Sequence, residues 1–455
     1  MIKHKLKKGY DINLAGRSAK EVVGAQQPRI FALQPPDFRG LRPRLQVEVG
    51  SHVKIGSVLF FDKTNPAIKF VSPASGQVVQ INRGERRAIM EVVVESDGKD
   101  EYEFFTASDV QKIGQLDRSE IIQRLLDGGM WPYIRQRPFS KIADPGAFPR
   151  DIFICAMDTA PLAPDYNVLL QGQEENFQTG VTVLSKLTEG KVHLSVNGRT
   201  EKFTGALETV EGVEKHSFTG PHPAGNISVH IHHINPINPG QIVWYIYAPD
   251  VALIGKFFLE GKLPIERIIA LAGSSVKEEY RKYYRTRLGV PVQSLVREGD
   301  LCDDHVRHIS GNVLSGRKIS ETGFLGFYDR LLTVIPDSRK RELFGWLTPG
   351  LKEDSFTRLF LSKLIPQKEY IKDTRIYGGK RAFIQTGEYE KVLPMDILPM
   401  HLVKSIIAEE IEDMIGLGLL EVDEEDFALC TYICPSKIDF GDYIRKGLEI
   451  LEREG

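Results

Sequence analysis

The sequence predicts a multidomain α/β protein, and three observations lead to that prediction. The chain has 455 residues, which is too long for one hydrophobic core and favours several domains. Short apolar runs separated by turn residues fill the N-terminal part, and buried strands then alternate with helical patterns. Helical periodicity dominates the C-terminal part. We expect domains at residues 1–105, 106–260, 261–335 and 336–455.

The composition is that of an ordinary globular protein. A net charge of −2 gives no strong attraction to nucleic acid, and 42% hydrophobic with 26% charged residues is typical of soluble domains. No run of about 18 apolar residues is present. The basic N-terminus lacks the apolar region of a secretion signal. Four cysteines favour a reducing compartment over a disulfide framework, so we expect a cytoplasmic location.

Residues 1–105 are predicted to form a β domain. The phrase Val49–Leu59, followed by Ser72–Val78, resembles the barrel-sandwich hybrid of biotinyl and lipoyl domains. Those domains carry a modified lysine in a hairpin, whereas the corresponding turn here is Asn82–Arg87. We therefore expect an unmodified, structural version. Its strand-length apolar runs are Arg44–Val49, Val58–Phe61, Gln77–Ile81 and Ala88–Val94.

Residues 106–260 are predicted to form a Rossmann-like sheet without a dinucleotide site. Helical patterns at Ser119–Leu126 and Glu174–Leu187 alternate with apolar strands at Asp151–Met157 and Val192–Val196, which favours a parallel sheet. The fingerprint G-x-G-x-x-G, which holds a pyrophosphate, is missing.

The remaining sequence predicts two further units. Residues 261–335 begin with the strand Arg267–Gly273 and are compatible with a small β-grasp unit of the SLBB-like kind. The C-terminal region is predicted to be helical, with helices at Ser355–Leu364, Leu402–Leu417 and Phe440–Glu454.

A loop and an alternating segment within residues 217–240 hold a cluster of histidines. Pro221 and Pro223 flank His222 and restrict its backbone, because proline fixes φ and favours extended conformations before it. The alternation from Ile227 to Ile234 predicts a strand.

In such a strand His230 and His232 would share one face. With His222 they could then share a metal ion. No carboxylate or cysteine accompanies them at a familiar spacing, so we favour structural histidines or a domain-contact loop and expect no metal.

The C-terminal region contains half of an iron–sulfur motif. Cys430, Cys434 and Pro435 match the second half of C-x₂-C-x₂-C-x₃-C-P, whereas Glu424 and Phe427 occupy the first two cysteine positions. A cluster needs four thiolates in general, so two cannot hold it. We interpret the motif as degenerate, with completion by a partner chain as the alternative.

Long phrases along the whole chain carry a family resemblance: Lys7–Asp11, Phe70–Ala74, Ile81–Gly84, Arg137–Lys141, Ala156–Thr159, Gly220–Gly225, Glu342–Trp346 and Leu429–Tyr432. On these phrases the chain resembles the NqrA family, whose members belong to the bacterial sodium-translocating NADH:quinone reductase. More distantly it is similar to the large soluble subunit of Rnf complexes and to the NADH-binding subunit of complex I. Those distant relatives have a glycine-rich flavin loop. Here Met130, Trp131 and Tyr133 stand in its place and would fill the space of a flavin.

The resemblance implies a peripheral subunit on the cytoplasmic face of the bacterial inner membrane. The implied six-subunit complex, which includes a membrane subunit, passes electrons from NADH to ubiquinone and exports sodium. FAD, FMN, riboflavin and iron–sulfur centres are expected in the partner subunits, and no cofactor or catalytic residue is expected in this one.

The resemblance also makes ubiquinone a candidate ligand. A quinone pocket has apolar walls and a few donors for the carbonyl oxygens. His222 offers a donor between Pro221 and Pro223, and Phe31 and Phe38 offer aromatic walls, although their segment could equally cover the β domain. The alternative is a cofactor-free docking platform with no ligand of its own.

Overall fold

The computed structural model describes residues 1–203, 205–338, 349–350, 353–357, 360–364, 367–376, 378–384 and 386–454. These residues form four β-sheets and a group of C-terminal helices. The phrase Glu342–Trp346, which contributed to the family resemblance, lies outside the described residues. In the described part, no helix is long and apolar enough to cross a lipid bilayer.

The largest sheet has seven strands and lies at the centre of the molecule. Five neighbouring strands are parallel, and two short antiparallel strands complete one edge. In spatial order the strands are Ile2–Lys5, Glu214–Thr219, Val192–Asn197, Ile152–Ala156, Val243–Tyr247, Arg135–Arg137 and Lys141–Ile142.

Helices flank this sheet, and two of them pack very closely. A Cβ on Gly180 would lie 2.0 Å from the Val251 carbonyl oxygen, so the helices Glu174–Ser185 and Ala248–Glu260 need glycine at their contact. The other helices before the C-terminal region are Val110–Ile113, Arg118–Asp127, Tyr166–Leu169, Gly205–Thr209 and Ile227–Ile234. The strands and helices predicted within 106–260 are thus confirmed, apart from the alternating segment.

The segment Ile227–Ile234 is an α-helix, and the prediction of a strand was wrong. Ile227 and Ile231 are buried and lie four residues apart, a spacing that satisfies a period of 3.6 as well as a period of two. Each residue of an α-helix turns by about 100°, so His230 and His232 lie on nearly opposite sides of the helix. They therefore do not share a face.

A six-stranded mixed sheet contains the residues predicted as the β-grasp unit, together with one strand from the N-terminus. Its spatial order is Arg317–Ile319, Val306–Ser310, Leu331–Pro336, Glu266–Ala272, Tyr283–Arg287 and Val22–Gly24.

Two small antiparallel sheets form the N-terminal β unit and share one apolar core. The first consists of Ile30–Leu33, Ile89–Ser96, Gly76–Arg83 and His52–Val53. The second consists of Pro43–Leu45, Val58–Asp62 and Lys69–Val71. The strand at residues 2–5 lies in the central sheet and the strand at 22–24 in the six-stranded sheet, so the start of the chain contributes to other units.

The C-terminal region contains the helices Pro399–Ala408, Ile411–Gly416, Ala428–Ile433 and Phe440–Glu454. The predicted helix Phe440–Glu454 is confirmed. The predicted helix Leu402–Leu417 is instead two helices, because Glu409 between them has a left-handed φ of 59°.

The predicted helix Ser355–Leu364 is also wrong in its described part, where only a 3₁₀ turn at Leu361–Lys363 is present. Ser355 Oγ lies 3.1 Å from Thr357 Oγ1, and the Ser362 hydroxyl donates to the Glu353 carbonyl. The bond from Ser362 to a backbone carbonyl is of the kind that competes with helical hydrogen bonds.

Candidate functional site

A cavity of about 680 Å³ lies where the central sheet, the six-stranded sheet and the C-terminal helices meet. Three of its lining residues follow or end parallel strands of the central sheet: Asp158, His222 and Tyr247. The cavity is therefore at the carboxyl edge of that sheet, where open α/β sheets commonly bind ligands. Its volume is within the usual range for small-molecule sites, roughly 300–1,000 Å³.

His222 lines the cavity as a neutral hydrogen-bonding group. Its backbone N–H donates to Asp11 Oδ1 at 2.8 Å, and its Nδ1 lies 3.1 Å from Thr159 Oγ1. Burial lowers the pKa of His222 to about 4, so the imidazole is uncharged at neutral pH. A Cβ on Gly9 would lie 2.3 Å from the His222 carbonyl oxygen, so the N-terminal segment packs directly against this loop.

Phenol rings and one guanidinium form another wall. The Arg135 guanidinium carbon lies 4.3 Å from the ring centre of Tyr328 and 5.2 Å from that of Tyr247, which are cation–π contacts. Burial raises the pKa of Tyr166 and of Tyr247 well above their usual range, so both hydroxyls stay protonated donors.

Carboxyl groups complete the cavity, and their protonation states differ. Burial, followed by repulsion from Asp426, raises the pKa of Glu425 to about 8. Burial also raises the pKa of Asp158. Although burial opposes it, the attraction of Arg137 and Arg39 holds the pKa of Asp423 below its usual range. The cavity thus combines an ionised carboxylate with a carboxyl that is largely protonated at neutral pH.

Ion pairs attach the C-terminal helices to the rest of this wall. Arg39 contacts Asp423 at 2.8 Å and Glu424 at 2.9 Å, and it also donates to the Phe139 carbonyl at 3.0 Å. Arg137, whose side chain is 1% exposed, lies 3.5 Å from Asp423. Because these charges are buried, each depends on its partner.

The other predicted quinone contacts do not line the cavity. Phe31 is buried on a strand of the N-terminal β unit, and Phe38 packs on Phe70 with ring centres 4.5 Å apart. Pro221 and Pro223 flank His222 in sequence but are absent from the cavity wall. Of the five predicted residues, the structure brings only His222 to this place.

The three histidines considered for a metal have separate partners. His230 Nε2 lies 3.0 Å from the Ala224 carbonyl oxygen, and His232 Nδ1 lies 2.8 Å from Glu421 Oε2. His222 pairs with Thr159 as described. The three imidazoles therefore have different hydrogen-bond partners.

The cysteines of the degenerate motif are buried in the apolar core of the C-terminal helices. Cys434 Sγ lies 3.1 Å from the Tyr389 hydroxyl, and burial raises the pKa of the Cys430 thiol. Phe427, at one missing cysteine position, is buried in the same core. Glu424, at the other, pairs with Arg39 and Arg445.

The bulky side chains in place of a flavin loop are core residues. Trp131 donates from Nε1 to the Ala143 carbonyl at 2.7 Å, and its ring meets that of Trp244 edge-on at 5.4 Å. Tyr133 stacks on Phe327 at 4.6 Å, and Met130 is fully buried. The space directly beside Gly128 and Gly129 is occupied by the side chains of Phe257 and Val71.

Sequence reasoning missed Arg135, Tyr247, Tyr328 and Glu425. A signal was present for two of them. Arg135 belongs to an Arg-Gln-Arg segment of strand length, and Glu425 belongs to an acidic run, which together indicate buried charges that need partners. The tyrosines carry no such signal, because buried aromatic residues occur throughout any core.

Family models match three parts of the chain. These are the NqrA N-terminal barrel-sandwich hybrid domain over residues 4–97, the NqrA second alpha/beta domain over 116–263 and the NQRA C-terminal domain over 268–321. The predicted barrel-sandwich hybrid is thereby confirmed. Fold and matches together define a multidomain subunit of an oxidoreductase complex.

Curated relatives are similar over the whole length. The chain is 41% identical to the NqrA subunit of the Na(+)-translocating NADH-quinone reductase of Yersinia pestis over 454 residues, which cover 99% of this chain and 100% of the relative. The corresponding subunits of Neisseria meningitidis serogroup B and of Marinomonas sp. are 41% and 38% identical, with the same coverage. The chain belongs to the NqrA family of Na⁺-translocating NADH-quinone reductase subunits.

Proposed function

We propose that the central cavity binds the headgroup of a quinone for the reductase complex. The observation that supports this most directly is the set of neutral donors around one space: the imidazole of His222, the hydroxyls of Tyr166 and Tyr247, and the carboxyl of Glu425. A quinone presents two carbonyl oxygens that accept hydrogen bonds. The flanking Arg135 would stabilise negative charge that develops on a reduced headgroup oxygen.

Direct titration tests this proposal. A short-chain ubiquinone is added to the purified full chain, and binding is followed by calorimetry or by tryptophan fluorescence. We expect saturable binding that weakens in Tyr247→Phe, in Glu425→Ala and in His222→Ala, each of which removes one donor. Tyr443→Phe, on the C-terminal helix Phe440–Glu454, is the matched control. Equal affinity in all variants would remove this cavity as the quinone site.

The second candidate is a docking platform without a ligand, and the ion pairs of the cavity favour it. Arg39 with Asp423, and Arg330 with Asp250, join different parts of the chain across this space. In that case the cavity is only the boundary between packed units and holds no ligand. A complete absence of quinone binding, with normal assembly of the complex after purification, would favour the platform.

The remaining features of the proposal concern location and cofactors. We propose a peripheral position at the cytoplasmic face of the bacterial inner membrane, with FAD, FMN, riboflavin and iron–sulfur centres in the partner subunits that transfer electrons from NADH and export sodium. The absorption spectrum of the purified chain tests the cofactor part, since a flavin or iron–sulfur chromophore would contradict it.

We also propose fold assignments for the central sheet and for residues 261–335. The five parallel strands of the central sheet support a Rossmann-like origin, with Met130, Trp131 and Tyr133 in the former ligand space. The six-stranded mixed sheet supports the β-grasp assignment of residues 261–335. Comparison with experimental structures of such domains tests both assignments.

A further inference from the structure

Three side chains with metal-binding atoms converge at the other end of the central sheet. His193 lies on the strand Val192–Asn197, and Glu214 and His216 lie on the neighbouring parallel strand Glu214–Thr219. His193 is in register with Glu214, and residues two apart on a strand share a face. The register therefore places all three on one face, near the amino ends of the strands and away from the central cavity.

The distances among the three ligand atoms match a tetrahedral metal site. His193 Nδ1 lies 3.1 Å from His216 Nε2, His216 Nε2 lies 3.3 Å from Glu214 Oε1, and His193 Nδ1 lies 3.7 Å from the same oxygen. A zinc ion with bonds of about 2.0–2.1 Å separates neighbouring ligand atoms by roughly 3.3–3.5 Å.

The second ring nitrogens of the two histidines and the second carboxylate oxygen of Glu214 have neighbours of their own. His216 Nδ1 lies 3.2 Å from His4 Nε2, and the Lys191 ammonium binds the other oxygen of Glu214 at 2.6 Å. His193 Nε2 lies 3.8 Å from Asp151 Oδ1. Metal-binding histidines commonly have a carboxylate or similar acceptor at the second ring nitrogen, which fixes their orientation.

Access also suits a cation. Both histidines are buried, whereas the Glu214 side chain is 32% exposed. The group opens into a cavity of about 470 Å³ that gives a cation a path of entry.

We propose that His193, Glu214 and His216 bind one divalent first-row transition cation, with zinc as the expected occupant. Two imidazoles and one carboxylate form a ligand set that zinc accepts. The fourth position faces the open cavity and is available to water or to a small ligand. The competing interpretation is a proton shared between two buried histidines.

Metal titration of the full chain distinguishes these interpretations. Chain without a polyhistidine tag is stripped with a chelator, and Zn²⁺ is added in a calorimeter; Co²⁺ is added separately as an optical probe of geometry. We expect one Zn²⁺ per chain and the intense visible bands of tetrahedral Co²⁺. A chain that binds no stoichiometric Zn²⁺ would overturn the proposal.

Two variants and one control locate the site. We expect Glu214→Gln and His216→Asn each to weaken Zn²⁺ binding by at least tenfold, since even loss of an outer hydrogen-bond partner costs roughly 10–100-fold. His305→Asn, at an exposed histidine outside the group, should bind as the original chain does. Because Glu214 is partly exposed, its variant is expected to fold, which circular dichroism verifies. Unchanged affinity in a folded Glu214→Gln chain would also overturn the proposal.

Discussion

The two ends of the central sheet are built in different ways. At the carboxyl end, Arg135, His222, Tyr328 and Glu425 come from distant parts of the chain and surround one space with phenols and carboxyls. At the amino end, His193, Glu214 and His216 come from two adjacent strands in fixed register. The first end depends on how whole units pack, whereas the second depends only on strand pairing. Loss of inter-unit contacts should therefore damage the first end and spare the second.

The largest loss of stability is expected from Asp423→Ala, which leaves the buried Arg137 guanidinium without this carboxylate partner. Breaking a buried ion pair in this way costs about 3–5 kcal/mol. Urea denaturation followed by circular dichroism should show a lower midpoint. Lys446→Ala, which removes an exposed pair with Glu409, is the control, and its cost should be at most about 1 kcal/mol. Equal losses in the two variants would contradict the importance of the buried pairs at the carboxyl end.

The pH dependence of Glu425 is the second prediction. Its pKa is raised to about 8 in the folded chain, so between the ordinary glutamate pKa and about 8 the folded state holds a proton that the unfolded state releases. Glu425 thus favours folding at acid pH, and that contribution is lost as pH rises through about 8.

Thermal unfolding of Glu425→Gln and of the original chain, from pH 5 to pH 9, measures this effect. The variant should become relatively more stable as pH rises, because glutamine cannot ionise. Glu449→Gln, at an exposed position on the last helix, should run parallel to the original chain at every pH. A constant difference for Glu425→Gln would show that its pKa is ordinary.

A smaller effect is expected at the amino end when Zn²⁺ is added. Binding to the folded state alone stabilises it by about 2.7 kcal/mol when free Zn²⁺ is a hundred times the dissociation constant. The melting temperature of the original chain should rise, and that of Asp423→Ala should rise similarly because its defect lies at the other end. A stabilisation that is unchanged in Glu214→Gln would place the ion elsewhere.

The smallest effect concerns one hydrogen bond across the carboxyl end. The Tyr328 hydroxyl donates to the Pro132 carbonyl at 2.6 Å and joins the six-stranded sheet unit to the central one. Tyr328→Phe should cost about 0.5–1.5 kcal/mol in urea denaturation, as typical hydrogen bonds do. Tyr443→Phe serves as control. An equal loss of stability in that variant would mean that the bond from Tyr328 to Pro132 does not stabilise the fold.

Local pattern was sufficient for several elements and insufficient for others. The strand Ile152–Ala156 and the helix Phe440–Glu454 were predictable because apolar runs and amphipathic spacing are properties of neighbouring residues. Ile227–Ile234 was predicted wrongly because eight residues fit both periods. Only the packing of Ile227 and His230 into the core selects the helix.

The candidate sites were less predictable, for a physical reason. His222 could be singled out because prolines constrain it locally, but its neighbours Arg135 and Glu425 reach it through tertiary packing. His193 and His216 become neighbours through parallel pairing of strands separated by a connecting segment. A sequence shows that two strands exist, but their register follows from the assembled sheet.

The edge strand Ile2–Lys5 has a consequence for synthesis on the ribosome. His216, whose side chain contacts that of His4, is translated 212 positions later. At ordinary elongation rates the strand Ile2–Lys5 therefore remains unpaired for roughly 10–40 s. An unpaired strand attracts other chains during such a delay. Lys3 and Lys5 place charges on this strand, and charged side chains on an edge strand discourage such pairing.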